Sequence, residues 1–297
     1  MSGHHHHGHH HDTTDLDWDD LGPHLEAQAE ISIPLLEQVT DWLRGLTGRD
    51  ATAVGRVWDV GSGPGVAGCL FATAFPAAEV VAVDGEPALL ERARDRAART
   101  GVGDRLRTVH ADITDGLPDI GDADLIWSSK ALHHVGDQGA AVATLAGRLR
   151  PSGVLAVAEG GLPARRLPRD FGIGRPGLEA RLDAVAEDWF RRMRAGLPGS
   201  RETVEDWPAL LTAAGLEQVR SRTFLLDVPA PLDDSVRRFV HADLTRTREV
   251  LADELDAEDR ATLDRLIDPD DAAGVLRRPD VFLLSAQTVH TGVRPAA

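Results

Sequence analysis

Short apolar runs alternate with amphipathic segments through the central part of the chain. Runs rich in valine, isoleucine and leucine predict buried strands, whereas apolar residues that recur every three or four positions predict helices. Strands are predicted at 57–60, 80–83, 106–109, 124–127 and 154–158, and helices between them at 66–75, 87–99 and 138–149. Strands that alternate with helices of this length predict an α/β fold with a doubly wound parallel sheet.

The segments on either side of this core add further elements. Before it, apolar residues at helical spacing, with a break at Pro34, predict an arm of two short helices. After Glu159 the alternation stops, and residues 160–177, rich in glycine, proline and arginine, are predicted to form a loop. The remaining predicted elements are helices at 178–194 and 204–214, a strand at 218–226, a helical segment at 233–278 and a strand at 281–289. The sheet is therefore predicted to have seven strands and to be mainly parallel.

These elements divide the chain into successive segments. They are a His-rich and acidic disordered tail at 1–20, a helical arm at 21–50, an α/β core at 51–160, a lid at 161–202, the completion of the sheet at 203–231 and 281–290, and a helical insertion at 232–280. The tail contains a broken histidine tract, His4–His7 and His9–His11, which is either a purification tag or a native metal-binding tail. Neither interpretation changes the prediction for the core.

The composition restricts the partners and the setting. Acidic residues number 48 against 32 basic residues, which gives a formal net charge of -16. Because such a charge repels phosphate backbones and anionic lipids, we expect no nucleic-acid partner and no membrane partner. Cys69 is the only cysteine, and no apolar run approaches the roughly 20 residues of a membrane span. A cytoplasmic protein is the expectation.

Residue usage also points to the source. The chain has no tyrosine and no asparagine, and Lys130 is its only lysine. Because the codons of these residues are rich in A and T, we infer a high-GC bacterium. Much of the arginine content then needs no functional explanation.

A glycine-rich turn follows the first predicted strand. Gly61, Gly63 and Gly65 precede a predicted helix, where the absence of a Cβ lets the backbone approach a ligand closely. The stretch Gly63–Gly68 also satisfies the G-x-G-x-x-G pattern of dinucleotide sites. The register argues against that interpretation, because Gly61 closes the strand and the sixth position counted from it is Val66.

Carboxylates end the next two predicted strands at the same edge of the sheet. Asp84 can accept both hydroxyls of a ribose. Asp112 can accept from an adenine amine, or it can cap the following turn. These features fit an adenosine-containing ligand, and they suit a nicotinamide cofactor as well as S-adenosylmethionine.

Together, these motifs resemble those of the class I S-adenosylmethionine-dependent methyltransferases. The resemblance covers residues 57–161 and rests on Asp59–Gly65, Asp84, His110–Asp112, Asp124–Trp127 with Ala131–Val135, and Leu149–Leu155. It implies a Rossmann-like sheet whose terminal strand runs antiparallel near the edge. It also implies S-adenosylmethionine as the cofactor.

The resemblance assigns roles to individual residues. The implied cofactor-binding residues are Asp59, Gly61, Ser62, Gly63, Gly65, Asp84, Gly85, Asp112, Ile113 and Ser128. Asp59 would orient the amino group of the methionine moiety, Asp84 would hold the ribose, and Ser128 would lie near the reacting methyl group. Asp112 and Ile113 would read adenine. The arm, through His24 and Gln28, would close over the cofactor.

Methyl transfer is an in-line displacement in which the protein aligns the nucleophile with an already activated carbon. No metal is required. A phenol or alcohol acceptor benefits from a general base, an amine need only be bound neutral, and a carboxylate needs no base. The candidate bases are His133, His134 and Glu159, although the two histidines can equally pack against the next helix.

The segment after the fifth predicted strand contains candidate acceptor-binding residues. Residues 160–177 hold four arginines against one aspartate, a net charge of +3, and such a patch can bind a carboxylate or phosphate. The acceptor-binding candidates are Arg165, Arg166, Trp189 and His241. Core packing of Trp189 and a solvent-facing His241 are the alternatives.

The sequence therefore predicts a methyltransferase that acts on an oxygen or nitrogen, less readily a carbon, of a small molecule or modified peptide in specialised metabolism. We expect a monomer or a homodimer. An NAD-dependent oxidoreductase and a non-catalytic methyltransferase-like binding module stay open as alternatives, which cofactor binding and activity distinguish.

Overall fold

The computed structural model describes residues 18–48 and 51–296 and contains one large sheet. Its strands are β1 (Arg56–Val60), β2 (Glu79–Asp84), β3 (Leu106–His110), β4 (Ala123–Ser129), β5 (Leu149–Arg165), β6 (Glu217–Val228) and β7 (Leu283–Val293). Their order in the sheet is β3-β2-β1-β4-β5-β7-β6. Strands β1 to β5 are mutually parallel, and β7 runs antiparallel between β5 and β6. The predicted seven-stranded, mainly parallel sheet with an antiparallel terminal strand is confirmed.

Helices connect and cover the strands. They are α1 (Trp18–Ile31), α2 (Ile33–Leu46), α3 (Val66–Ala74), α4 (Pro87–Arg99), α5 (Gln138–Gly147), α6 (Leu178–Gly196), α7 (Trp207–Ala213), α8 (Asp234–Val250) and α9 (Ala257–Ile267). Local chemistry sets where several of them begin. Pro87 opens α4, where its missing N–H has no intrahelical partner to lose, and the Glu86 side chain accepts from the Ala88 N–H.

Both faces of the sheet are buried under helices. Val57 and Trp58 are adjacent in β1, point to opposite faces and are both fully buried. One face packs against apolar residues of α2, α3 and α8, and the other against those of α5 and α7. Because neither face is open, a ligand is expected at the carboxyl edge of the parallel strands.

The segment after Glu159 differs from the prediction. Residues 160–165 continue β5, so the predicted loop at 160–177 is wrong in its first part. Gly160 and Gly161 have φ of 72° and 124° and form an irregularity, after which Gly161 pairs with Gln287 of β7. A Cβ at Gly161 would lie 2.1 Å from Ala286 O. The glycines that signalled a loop therefore serve a bulge pressed against β7.

Two other boundaries also differ. Helix α1 begins at Trp18, inside the predicted tail at 1–20, and the histidine tract lies outside the described residues. The predicted helical segment at 233–278 contains α8 and α9 and continues as turns after Ile267. The predicted break near Pro34 is confirmed, since α1 ends at Ile31 and Pro34 lies in the first turn of α2.

Within 18–48 and 51–296, no helix combines the length and apolar character needed to cross a membrane. The cytoplasmic location stays a prediction.

Candidate active site

The glycine-rich loop after β1 is held against β2 by backbone hydrogen bonds. The N–H groups of Gly61 and Ser62 both donate to Val83 O, at 2.8 and 3.1 Å. The Gly63 N–H donates to Asp84 Oδ2 at 2.8 Å. The acid that ends β2 therefore fixes the shape of the loop.

The three loop glycines all have positive φ, but they serve different purposes. A Cβ at Gly61 would lie 2.3 Å from Ala131 Cβ, and one at Gly65 would lie 2.6 Å from Ala93 Cβ. At Gly63, by contrast, a Cβ would have no neighbouring atom within 4 Å. Gly61 and Gly65 are thus required by packing, whereas Gly63 borders open space, where the absence of a Cβ lets a ligand approach the backbone closely.

Both oxygens of the Asp84 carboxylate are engaged by the backbone. Besides the bond from Gly63, Oδ1 accepts from the Glu86 N–H at 2.9 Å. Burial raises the pKa of Asp84, and the two backbone N–H groups oppose that shift. The carboxylate is therefore held rigidly at the edge of the sheet, as a ribose-binding acid requires.

The second predicted acid, Asp112, caps the turn after β3. Its Oδ1 accepts from the N–H and the hydroxyl of Thr114, at 2.8 and 2.7 Å. Its Oδ2 would lie 3.9 Å from a Cβ at Gly85, which places the two predicted cofactor residues side by side. Capping thus occupies one oxygen and leaves the other facing the end of β2.

Ile113, the other predicted adenine reader, lines a second cavity of about 410 Å³. Val135, Asp137 and Pro198 form other parts of its wall. An apolar side chain at such a wall is suited to contact a flat base.

Three buried polar atoms around the loop have no hydrogen-bond partner. They are Asp59 Oδ2, Ser62 Oγ and Ser128 Oγ. Ser128 lies opposite Val60 in the β1–β4 pairing, so these atoms belong to neighbouring strand ends. An unsatisfied buried polar group costs roughly 1–3 kcal/mol, and atoms of this kind at the strand ends beside the loop are available to a ligand that supplies the missing partners. An acidic and two hydroxyl side chains fit the methionine moiety of S-adenosylmethionine.

Asp59 is the most strongly perturbed acid of this group. Burial raises its pKa to about 7, and the neighbouring Asp84 adds to the shift, whereas the Gly68 N–H opposes it. A cationic amino group beside it would favour the ionised carboxylate.

The candidate bases occupy the turn between β4 and α5, called here the post-β4 turn (residues 130–137). Glu159 accepts from the Leu132 N–H at 2.9 Å, and its other oxygen lies 2.9 Å from His133 Nδ1. The His133 ring contacts His134, with 4.1 Å between centroids, and Phe190 of α6, with 5.6 Å. Glu159 therefore fixes the turn and orients His133, and the rings pack towards α6.

His134 differs from its neighbour in electrostatics. Desolvation by the surrounding protein lowers its pKa to about 4, and His133 and Arg194 contribute in the same direction. The ring is therefore neutral at pH 7 and a weak proton acceptor.

Arg194 ties the lid helix to this turn, a role that the sequence analysis missed. Its Nη1 donates to the carbonyl oxygens of His133 and Val135, each at 2.7 Å. An arginine near a helix end has no local signal for such a contact, because its partners lie about 60 residues earlier in the chain.

A cleft of about 420 Å³ opens between the arm, β5, β7 and α8, and Glu187 of α6 also lines it. Its polar lining includes Gln28, Ser32, Lys130, Arg166, Asp243 and Gln287. The volume suits a small organic molecule. Lys130 precedes Ala131, the residue that abuts Gly61, so this cleft and the glycine loop meet across the post-β4 turn.

The predicted acceptor-binding arginines are engaged in ion pairs. Arg166 lines the cleft, but its guanidinium contacts Glu179 and Asp243. Arg165 pairs with Asp183, and Arg175 with Asp256 and Asp259. The net positive charge counted along the segment is therefore offset by acids from α6, α8 and α9.

Of the other predicted ligand contacts, Gln28 lines the cleft, whereas Trp189 and His241 pack against other parts of the protein. Trp189 packs against the core cluster, and His241 Nε2 lies 2.8 Å from Ile267 O, so His241 faces α9. In the arm, His24 stacks on Phe239 with 5.4 Å between centroids, and Gln28 lines the cleft. The arm thus covers the cleft.

Comparison with known proteins agrees with this geometry. Residues 57–153 match a family model described as a methyltransferase domain. Over 217 residues, 72% of this chain, the sequence is 35% identical to the trans-aconitate 2-methyltransferase of Streptomyces coelicolor and covers 66% of that protein. It is 32% identical over 143 residues to the 27-O-demethylrifamycin SV methyltransferase of Amycolatopsis mediterranei, 48% of each chain. The chain thus spans between about half and two thirds of these relatives.

Among solved structures, an O-methyltransferase family protein from Burkholderia thailandensis superposes with a TM-score of 0.52. The two sequences are 15% identical, and the match covers 97% of this chain and 61% of that one. This likeness supports the fold.

Proposed function

Because the chain belongs to the class I S-adenosylmethionine-dependent methyltransferases, we propose that it methylates an oxygen atom of a small molecule bound in the cleft. The observation that carries this proposal is the contact between the two halves of the site. Ala131 touches the glycine loop, and Lys130 beside it lines the cleft. The names of both relatives specify a small-molecule acceptor, and one specifies an oxygen. A nitrogen acceptor is the second candidate.

The cofactor supplies an electrophilic methyl group on a sulfonium. The chain's own residues would bind and orient it: Asp84 would hold the ribose, Asp59 the amino group, and Ser128 would lie near the sulfur end. The open space beside Gly63 would admit the cofactor. The arm and α8 exclude water from the cleft, so the protein contributes mainly alignment and dehydration.

The position of the candidate bases bears on the acceptor. His133 would be the better base, because Glu159 holds Nδ1 and leaves Nε2 to accept a proton. However, His133 packs against Phe190 of α6, and neither His133 nor His134 is among the residues that line the cleft. We therefore propose an acceptor whose nucleophile needs no deprotonation.

The experiment that tests the function has two stages. First, thermal shifts with S-adenosylhomocysteine and with NAD identify the cofactor, since a ligand at 100 times its Kd adds about 2.7 kcal/mol of stability. Second, formation of S-adenosylhomocysteine from S-adenosylmethionine is measured with panels of carboxylates, alcohols, phenols and amines.

Gly63→Ala is the negative control for both stages, because its Cβ would occupy the open space beside the loop. Since φ of Gly63 is 52°, alanine is strained there, and circular dichroism must first show that the variant is folded. We expect the wild-type protein to form S-adenosylhomocysteine and the Gly63→Ala variant to form none. A shift with NAD alone would support the oxidoreductase alternative. Binding of S-adenosylhomocysteine without turnover on any panel would support a binding module.

The affinity for S-adenosylhomocysteine should rise with pH up to about 7. Burial raises the pKa of Asp59 to about 7 in the free protein, and the ligand's protonated α-amino group favours ionised Asp59 and lowers that pKa in the complex. Binding therefore releases a proton below pH 7. Calorimetry should show about 20-fold tighter binding at pH 7.5 than at pH 5.5.

Asp59→Asn is the control and should flatten this profile; an unchanged slope in the variant would assign it to another group. The stability of the free protein should follow the opposite trend and decrease as the pH rises. Because the pKa of Asp59 is raised above the usual 3.8, the neutral acid stabilises the fold at low pH. That contribution is lost as the pH rises through about 7.

We also propose that the protein is a monomer or homodimer, that it has no nucleic-acid or membrane partner, and that it acts in specialised metabolism of a high-GC bacterium. The Streptomyces and Amycolatopsis relatives support the last of these.

A further inference from the structure

Lys130, the only lysine of the chain, lies where the cofactor loop and the cleft meet. It directly follows β4, and its N–H donates to Ala158 O at 3.0 Å. Its φ is 51°, a left-handed conformation that few residues other than glycine adopt. The turn therefore fixes the backbone of this residue, and strained positions of this kind concentrate at ligand-binding sites.

The Lys130 ammonium makes no hydrogen bond or ion pair with the residues that the structure describes. Two carboxylates influence it, Glu159 and Asp243, but neither lies within ion-pair distance. Glu159 is engaged by Leu132 and His133.

Asp243, the other of these carboxylates, is engaged as well. It contacts the guanidinium of Arg166, and one of its oxygens lies 3.8 Å from His24. The acids nearest to Lys130 are therefore already satisfied.

The other charges of the cleft do not take up this cation either. Arg166 is occupied by Glu179 and Asp243, and Glu187 is exposed to solvent on α6. Desolvation lowers the pKa of Lys130, against the opposing effect of Glu159 and Asp243. The Lys130 side chain is exposed at the wall of the cleft, and an ammonium there without a contacting acid gains from an incoming anion.

We propose that Lys130 binds a carboxylate of the acceptor, and that the acceptors are therefore small carboxylic acids. This inference rests on the proposed function. The sequence favoured Arg165 and Arg166 as the residues that bind the acceptor, but both are paired with acids. Among the described residues, Lys130 is the one cation of the cleft that has no contacting acid. A carboxylate also needs no general base, which agrees with the absence of His133 and His134 from the residues that line the cleft.

The single lysine makes a direct test possible. Reductive methylation with 13C-formaldehyde labels the Lys130 side chain and the α-amino terminus, which give separate NMR signals. The labelled protein, saturated with S-adenosylhomocysteine, is titrated with trans-aconitate and with its uncharged trimethyl ester. Lys130→Met identifies the lysine signal by its loss.

We expect trans-aconitate to shift the Lys130 signal saturably and to raise the pH at which it titrates, because an adjacent anion favours the charged amine. The ester should produce neither effect, and the α-amino signal should not respond to either compound. A response to both compounds, or to neither, would overturn the assignment of a carboxylate site.

Binding of trans-aconitate by unlabelled variants gives a second readout. Lys130→Met keeps the Cβ and the unbranched chain, so it should weaken trans-aconitate binding by about tenfold to 100-fold and leave the Kd of S-adenosylhomocysteine within about twofold. Lys130→Arg should retain much of the acceptor affinity. Equal weakening by both variants would indicate a structural role and overturn the proposal.

These outcomes distinguish a failure of the proposed function from a failure of the Lys130 assignment. Failure to bind S-adenosylhomocysteine would overturn the proposed function itself. Binding of S-adenosylhomocysteine with turnover of neutral acceptors, unaffected by Lys130→Met, would overturn only the assignment of Lys130 and of the acceptor class.

Discussion

Arg166→Ala should lower the free energy of unfolding by about 3–5 kcal/mol, as expected when one partner of a buried ion pair is removed. Arg166 is 15% exposed, and its partners Glu179 and Asp243 are 8% and 18% exposed. Truncation leaves two poorly solvated carboxylates without their cation. Urea unfolding followed by circular dichroism measures the loss.

The reason for so large an effect is the number of segments that meet there. Glu179, on α6, accepts from the N–H groups of Arg166 and Leu167, at 3.0 and 3.2 Å, and also from the Arg166 guanidinium. Asp243 brings in α8, and His24 brings in the arm. The cluster therefore joins β5, α6, α8 and α1 around the acceptor cleft.

Two further variants sharpen this prediction. Arg191→Ala removes an exposed pair with Asp188 on α6, 76% and 60% exposed, and should change stability little. The double variant Arg166→Ala with Asp243→Asn should recover part of the loss, because one of the stranded charges is removed. A loss for Arg166→Ala no larger than that for Arg191→Ala would show that solvent screens this cluster.

Asp84→Ala should weaken S-adenosylhomocysteine binding by about 100-fold or more. The variant removes the acceptors of the Gly63 and Glu86 N–H groups, and a hydrogen bond to a charged group contributes about 1.5–3 kcal/mol. It also removes the acid expected to hold the ribose. Because about 1.4 kcal/mol corresponds to a tenfold change in Kd, losing two ribose hydrogen bonds to the carboxylate, at about 1.5–3 kcal/mol each, corresponds to about 100-fold or more.

Isothermal titration calorimetry on the folded variant measures this effect. Asp104→Ala, in an exposed turn before β3, is the matched control and should leave the affinity unchanged. Asp112→Ala should have a smaller effect than Asp84→Ala, since Asp112 holds only its own turn with one oxygen. Wild-type affinity in Asp84→Ala would remove Asp84 from the cofactor site.

Much of the fold was predictable because its signals are local. Alternating apolar runs and amphipathic segments placed the strands and helices of the core, since each pattern reflects burial of one element against its neighbours. The prediction failed at Gly160 and Gly161, where glycines that usually indicate a loop instead allow β5 to press against β7. That pairing joins residues more than 100 positions apart, so no local pattern reports it.

The cofactor half of the site was also predictable, because its residues follow strand ends in sequence. In parallel strands these ends share one edge of the sheet, so Gly63, Asp84 and Asp112 are brought together by the topology alone. The acceptor half was not predictable in this way. Arg166 and Arg175 looked like free cations along the sequence, but, apart from Glu179, which lies 13 residues after Arg166, their partner acids lie 77 to 84 residues further on.

The sequence by itself therefore determined the sheet, the glycine loop and the acids at its edge, because adjacency in the chain and one shared edge suffice to specify them. Only the tertiary structure decided which charges neutralise one another. It assigned Glu159 to the post-β4 turn and Asp243 to Arg166, and it left Lys130 without a contacting acid among the described residues. Ion pairing depends on distances between segments remote in sequence, and such distances exist only once the chain has folded.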